Sequence, residues 1–138
     1  MIVAACVEQQ KLSRLRGAVG EAHRLHVALD WAHADSIIRR QPVDVLVVDP
    51  HFGSSEPRTD GIRALRDQYR SVPFVVYSIL AAQTLRPLIE LGRDGMEQVV
   101  LFGVDDDPRH LRRVLERQPG VALAAKLLSR MRSRFRSI

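Results

Sequence analysis

The chain has 138 residues, of which 46% are hydrophobic and 27% charged, with a formal net charge of +5 at pH 7. These values are typical of a single globular domain that can bury a sizeable core. The single cysteine, Cys6, excludes an internal disulfide and a cysteine-based zinc site. A lone thiol favours a reducing compartment, and no apolar run approaches the length of a membrane span, so we expect a cytoplasmic protein.

The positive charge is concentrated at the C-terminal end. From Pro119 onward there is no acidic residue, and one lysine and four arginines carry the entire net charge of +5. Residues 1–118 are therefore neutral overall, and we predict two parts: a domain at 1–118 and a basic helix or linker at 119–138. Because the high pI describes only the second part, we expect no direct nucleic-acid binding by the domain.

Short strand-like runs alternate with amphipathic stretches along the domain. In chain order the predicted elements are strand Ile2–Cys6, helix Lys11–Val19, strand Arg24–Leu29, helix Asp35–Arg40, strand Val43–Asp49, loop His51–Asp60, helix Gly61–Tyr69, strand Val72–Leu80, helix Thr84–Leu91, strand Gln98–Phe102 and helix Pro108–Glu116. Thr84 is the predicted N-cap of the fourth helix and Gly92 its stop. Asp107 and Pro108 are typical of the cap and first turn of the fifth helix.

The alternation predicts an α/β fold with a parallel sheet covered by helices on both faces. We expect the flavodoxin-like, three-layer arrangement with strand order 2-1-3-4-5. A further amphipathic helix is predicted at Val121–Phe135, beyond the five repeating units. Its apolar stripe requires a partner, which could be the domain itself, a second copy of the chain or a downstream domain.

In this fold, function is expected at the carboxyl ends of the strands. Two segments that end there, Val43–Asp49 and Val72–Ser78, resemble the third and fourth strands of response regulator receiver domains. The resemblance covers residues 1–118. It implies that Asp49 corresponds to the phospho-acceptor aspartate and Ser78 to the switch hydroxyl.

The sequence departs from the receiver pattern at most of the other site positions. Receivers carry an acidic pair after the first strand, but this chain has Cys6 and Val7 at those positions. Only the next residue, Glu8, is acidic. Phe102 occupies the position of the receiver lysine at the end of the fifth strand. The loop after Asp49 is also longer than in receivers.

These replacements remove what phosphoryl transfer to Asp49 needs. Mg²⁺ requires clustered oxygen ligands and the phosphoryl group requires a nearby cation. We therefore predict a phosphorylation-independent receiver-like domain with no catalytic residue, no metal site and no cofactor. Asp49 would instead bind backbone N–H groups or pair with an arginine, and Phe102 would fill the degenerate site.

Two alternatives remain open. One is a genuine aspartyl-phosphorylated receiver with unusual site residues. The other is a small-metabolite-binding domain that uses the surroundings of Asp49 and Phe102.

The end of the chain suggests its partners. The run from Gly103 to Glu116, followed by an arginine-rich helix, resembles receiver-like segments that precede AraC-type helix-turn-helix domains. This resemblance implies a role in transcription regulation, with a DNA-binding domain further along the full-length chain. The receiver resemblance also implies a homodimer through the fourth and fifth helices. The expected dimer contacts, with the apolar stripe of the last helix added, are Leu88, Leu111, Leu115, Leu127 and Met131.

Overall fold

The structure is a computed structural model that describes residues 1–21, 23–96, 98–118 and 130–131. Of the predicted C-terminal helix, only Arg130 and Met131 are described, and both are helical. The predicted contact residue Leu127 lies outside the described residues.

The domain contains five strands and five helices in strict alternation. In chain order they are β1 Ile2–Ala5, α1 Gln9–Val19, β2 Leu25–Val27, α2 Trp31–Arg40, β3 Val45–Val48, α3 Asp60–Gln68, β4 Phe74–Ile79, α4 Ala82–Arg93, β5 Val99–Phe102 and α5 Pro108–Glu116. All neighbouring strands pair in parallel, in the order β2-β1-β3-β4-β5. The predicted fold class and strand order are confirmed.

The apolar content of β1 and β3 places them at the centre of the sheet. Every residue of both strands is buried, because helices cover both faces of the sheet. Alternate residues of β1 and β3 point to opposite faces and enter two separate core clusters. One cluster contains residues of α1 and α5, and the other contains residues of α2, α3 and α4. Three layers result, as predicted.

Side-chain caps fix the starts of three helices. Asp107 caps α5 by accepting hydrogen bonds from the backbone N–H groups of Arg109 and His110, as the sequence predicts. Glu8 caps α1 in the same way. Helix α2 begins at Trp31, earlier than predicted, because Asp30 accepts a hydrogen bond from the backbone N–H of His33.

The predicted boundaries of α4 are wrong at both ends. Thr84 lies inside the helix, where its buried hydroxyl accepts a hydrogen bond from the backbone N–H of Ala81 and contacts the carbonyl of Ile79. The helix also continues through Gly92 to Arg93. The left-handed residue that follows the helix is Gly95, with φ of +88°, so glycine does mark this end of α4, three residues later than predicted.

Two of the predicted dimer contacts are wrong. Leu111 and Leu115 are buried in the core between α5 and the sheet, so neither can contact a second copy. Leu88 is half-buried against the opposite core cluster, whereas Met131 is exposed. The exposed leucine and isoleucine of α4 are Leu85 and Ile89. None of the described helices is both long enough and apolar enough to cross a membrane.

Candidate functional site

The carboxyl ends of three parallel strands, β1, β3 and β5, bring Cys6, Asp49 and Phe102 to one edge of the sheet. Cys6 follows β1, Asp49 follows β3, and Phe102 ends β5. The Cys6 thiol lies 3.7 Å from Asp49 Oδ2. The edge therefore has a buried carboxylate that lies next to a thiol.

Asp49 is buried, and both of its oxygens are engaged. Oδ1 accepts a hydrogen bond of 2.9 Å from the backbone N–H of His51, and the His51 imidazole Nδ1 lies 3.7 Å away. Oδ2 accepts a hydrogen bond of 2.6 Å from the ammonium group of Lys11. Only 3% of Asp49 is exposed, so the carboxylate is satisfied internally and shielded from solvent.

Lys11 is the residue that the sequence analysis missed. It lies in the first turn of α1 and is only 2% exposed. Its side chain shares the inward face of α1 with Leu15 and Ala18, at positions i, i+4 and i+7. That spacing is a signal in the sequence, because a lysine on a buried stripe needs an anionic partner. The cationic partner of Asp49 is therefore a lysine and not the predicted arginine.

The thiol beside Asp49 is chemically inert. Burial, together with the neighbouring carboxylate, raises the pKa of Cys6 to about 12. The thiol is therefore protonated at neutral pH and can donate a weak hydrogen bond to Asp49 Oδ2. Cys6 supplies no oxygen ligand and no negative charge at a position where a metal-binding receiver carries a carboxylate.

Phe102 faces two cations of α1. Its half-buried ring packs against the core cluster that contains Leu15. The Lys11 ammonium lies 5.8 Å from the ring centroid and the Arg14 guanidinium carbon 4.8 Å from it. These distances are those of cation–π contacts. The aromatic residue thus holds cations from α1 near the end of β5, in place of a cation on β5 itself.

The remaining predicted residues, Glu8 and Ser78, do not join Asp49. Both carboxylate oxygens of Glu8 accept hydrogen bonds from the α1 backbone, from the N–H groups of Gln10 and Lys11. Ser78 is fully buried, and its hydroxyl donates to the carbonyl of Ile79 at 2.9 Å. Glu8 is therefore a helix cap and Ser78 is bonded within its own strand end.

A second buried carboxylate, Asp106, lies between β5 and α5. It accepts hydrogen bonds from the Tyr77 hydroxyl, from the Arg14 guanidinium and from the backbone N–H of Gly103. Burial opposes its ionised form, but these three donors outweigh burial and lower the pKa of Asp106 below its usual 3.8. Burial and the hydrogen bond to Asp106 raise the pKa of Tyr77. This network joins α1, β4 and α5, and the sequence analysis did not detect it.

The site lacks the groups that bind a divalent cation. Across residues 1–21, 23–96, 98–118 and 130–131, no three histidine, cysteine, aspartate or glutamate side chains are grouped to hold a metal ion. At Asp49 the ammonium of Lys11 provides the positive charge. The arrangement can hold an ionised carboxylate in place, but it offers no open carboxylate oxygen for attack on a phosphorus atom.

Comparison with known proteins supports the assignment of the fold. No protein-family model matches the sequence, and no curated protein matches it either. Solved structures do match. One is NtrX from Brucella abortus, with a TM-score of 0.67, 17% identity, and coverage of 94% of this chain and 29% of that one. Another is a two-component transcriptional regulator AraC from Clostridium phytofermentans ISDg, with a TM-score of 0.63, 15% identity, and coverage of 88% and 92%.

A third match is the receiver domain of the Francisella response regulator 1452, with a TM-score of 0.60, 20% identity, and coverage of 84% of this chain and 95% of that one. The fold and the position of Asp49 define a doubly wound α/β domain with an acidic residue at the end of its third strand. The chain has the fold of these receiver domains, as the sequence predicts. It spans less than a third of the length of NtrX.

Proposed function

We propose that this chain is a phosphorylation-independent, receiver-like regulatory domain that acts by binding other protein surfaces. The observation that carries the proposal is the buried ion pair between Lys11 and Asp49, 2.6 Å long. It supplies from within the chain the positive charge that an acceptor aspartate otherwise takes from a metal ion. An aspartate held in this way has a cationic partner without Mg²⁺ and needs no phosphoryl group to order its surroundings.

The surroundings of Asp49 support this proposal over an active phospho-acceptor. Attack on a phosphoryl donor requires an exposed carboxylate oxygen and cations that neutralise the developing charge. Both oxygens of Asp49 are engaged, and Cys6 is a neutral thiol where a carboxylate would bind Mg²⁺. Displacing Lys11 would leave an ammonium group in the core with no partner for its charge, which is costly.

We expect no phosphoryl adduct when the chain is incubated with acetyl phosphate and Mg²⁺ and its intact mass is measured. The matched variant restores the missing groups through Cys6→Asp, Val7→Asp, Lys11→Ala and Phe102→Lys. This variant is expected to gain one adduct that disappears when Asp49→Asn is added. An adduct on the unmodified chain that is lost in Asp49→Asn would identify a genuine phospho-acceptor and contradict the proposal.

The setting of the domain is part of the proposal. The structures that it resembles include a two-component transcriptional regulator, and the chain corresponds to less than a third of NtrX. We infer that it regulates transcription from within a longer cytoplasmic protein, with DNA contact made by a further domain. The reduced thiol of Cys6 agrees with a reducing compartment.

We also propose that the domain forms a homodimer and that α4 contributes to the contact. Leu85 and Ile89, one helical turn apart, are 49% and 55% exposed. They replace the buried Leu111 and Leu115 as the apolar contact residues, because burying exposed apolar area favours association.

Sedimentation equilibrium at micromolar concentration is expected to give a dimer. The variant Ile89→Asp is expected to be monomeric, because the dimer would have to bury its carboxylate. The control Leu29→Asp changes an exposed apolar residue that precedes α2, and it should remain dimeric. A monomer for the unmodified chain would contradict this part of the proposal.

A further inference from the structure

A cleft lies beside the carboxyl edge of the sheet, between the start of α2 and the loop that precedes α3. Its volume is about 430 Å³, which falls in the range of small-molecule sites. The lining residues are Trp31, Phe52, Gly53, Ser54, Arg58, Asp60 and Gly61. The Asp49 carboxylate bonds to Lys11, His51 and Cys6, none of which lines the cleft, so the cleft is distinct from the ion-pair site.

The aromatic wall of the cleft is held in place by its surroundings. The Trp31 indole meets the buried Phe52 ring edge-on, with the centroids 4.8 Å apart. A Cβ atom at Gly61 would lie 2.4 Å from the indole, so only glycine lets the indole lie against the first turn of α3. Gly53 has a φ of +74°, a conformation that glycine adopts easily, and a Cβ atom added there would lie 3.7 Å from the indole.

The loop that forms the other wall is ordered by its own hydrogen bonds. The backbone N–H of Arg58 donates to the carbonyl of Pro50, which closes the loop. At the start of the loop, the N–H of Phe52 donates to the backbone carbonyl of Asp49, and the N–H of Ser54 donates to the backbone carbonyl of His51. This is the segment that the sequence analysis predicts to be longer than the receiver loop. Its hydrogen bonds form a closed wall whose shape is set before any ligand arrives.

Two charged side chains of the cleft have no partner among the residues that the structure describes. Arg58 and Asp60 are both exposed and both line the cleft. Within the described residues neither side chain makes a hydrogen bond or an ion pair, with the other or with any third group. Two arginines of a larger, 540 Å³ cleft differ in this respect, since Arg63 pairs with Asp94 and Arg66 donates to the Asp94 carbonyl.

We propose that this cleft binds the base of a guanine nucleotide. Guanine presents O6 and N7 as adjacent acceptors, which match the paired donors of an arginine. Its N2 amino group is a donor, which an aspartate can accept. Adenine places an amino donor where guanine has O6, so it would oppose the Arg58 guanidinium. The aromatic wall provides the apolar contact that bases make with tryptophan and phenylalanine.

The test uses Trp31 as an internal probe, because it is the only tryptophan of the chain. GMP, AMP, UMP and ribose 5-phosphate are titrated into the full chain while Trp31 fluorescence is recorded, and calorimetry measures the heat of each titration. GMP is expected to change the fluorescence to saturation. AMP is expected to bind at least about tenfold more weakly, as base-edge readout by an arginine predicts.

Two variants with charge-matched controls locate the site. Arg58→Gln and Asp60→Asn should each weaken GMP binding at least about tenfold. Arg70→Gln and Glu56→Gln remove the same charges outside the cleft lining and should leave the affinity unchanged. All four side chains are exposed, so the variants should retain the melting temperature of the parent chain.

Four results would overturn the proposal: no heat with millimolar GMP, equal affinity for GMP and AMP, binding of ribose 5-phosphate as tight as that of GMP, or unchanged GMP binding in Asp60→Asn. Because the cleft does not involve Lys11, none of these results would alter the expectation that Asp49 stays unphosphorylated. The nucleotide site goes beyond the proposed regulatory function and can fail independently of it.

Discussion

Replacing Lys11 by methionine is expected to lower the free energy of unfolding by about 3–5 kcal/mol, as for other buried ion pairs that lose one partner. The methionine fills much of the same volume, so the main loss is electrostatic. It leaves the carboxylate of Asp49, 3% exposed, with the backbone N–H of His51 and the weak Cys6 thiol donor as its hydrogen-bonding groups. Urea unfolding followed by circular dichroism measures the change.

A double-mutant cycle separates the ion pair from packing. Asp49→Asn alone should also destabilise, because it leaves the Lys11 ammonium buried without an anion. The double variant should lose less than the sum of the two single losses. Arg16→Met, on the exposed side of the same helix, is the control and should cost less than about 1 kcal/mol. Additive losses in the cycle would mean that Lys11 and Asp49 do not interact in solution.

Removing the carboxylate of Asp106 is the second change with a large expected effect. Asp106→Ala deprives the Tyr77 hydroxyl, the Arg14 guanidinium and the Gly103 N–H of their acceptor. Tyr77 is fully buried, so its hydroxyl cannot turn to water instead. We expect a loss of about 3 kcal/mol at neutral pH, which is the scale of leaving buried donors unsatisfied. Thermal and urea unfolding provide the measurement.

The contribution of Asp106 also has a predicted pH dependence. Its pKa is lowered in the folded state, so its stabilising effect is fully present above 3.8 and is lost as the pH falls below that value. The difference in unfolding free energy between the parent chain and Asp106→Asn should therefore shrink on acidification from about pH 5 to pH 2. A difference that stays constant over this interval would mean that the hydrogen bonds to Asp106 do not lower its pKa.

Most of the fold was predictable because it rests on local patterns. The apolar residues of β3 predicted a strand buried on both faces, and Asp107 and Pro108 predicted the start of α5. The α4 boundaries were wrong because Thr84 and Gly92 suit a helix end but tolerate a helix interior. At Thr84 the buried contact with Ile79 decided the outcome, and a tertiary contact of that kind is not visible in local sequence.

The sequence predicted only those residues of the candidate site that lie at the ends of strands. The rule that strand ends meet at one edge placed Asp49 and Phe102 at the same edge of the sheet, where β3 and β5 end. It could not identify Lys11, whose side chain reaches Asp49 from a helix and across 38 residues of sequence. The contact between Tyr77 and Asp106 likewise joins residues 29 positions apart, and each partner alone is an ordinary residue of a strand or a helix start.

The position of the Lys11–Asp49 pair in the chain has a consequence for folding kinetics. The two residues meet only after β1 has paired with β3 and α1 has packed on the sheet. We expect a contact that depends on so much prior assembly to form after the rate-limiting step of folding. The stabilisation that it provides should therefore slow unfolding and leave the folding rate nearly unchanged. In this domain, the ion pair would set the lifetime of the folded state.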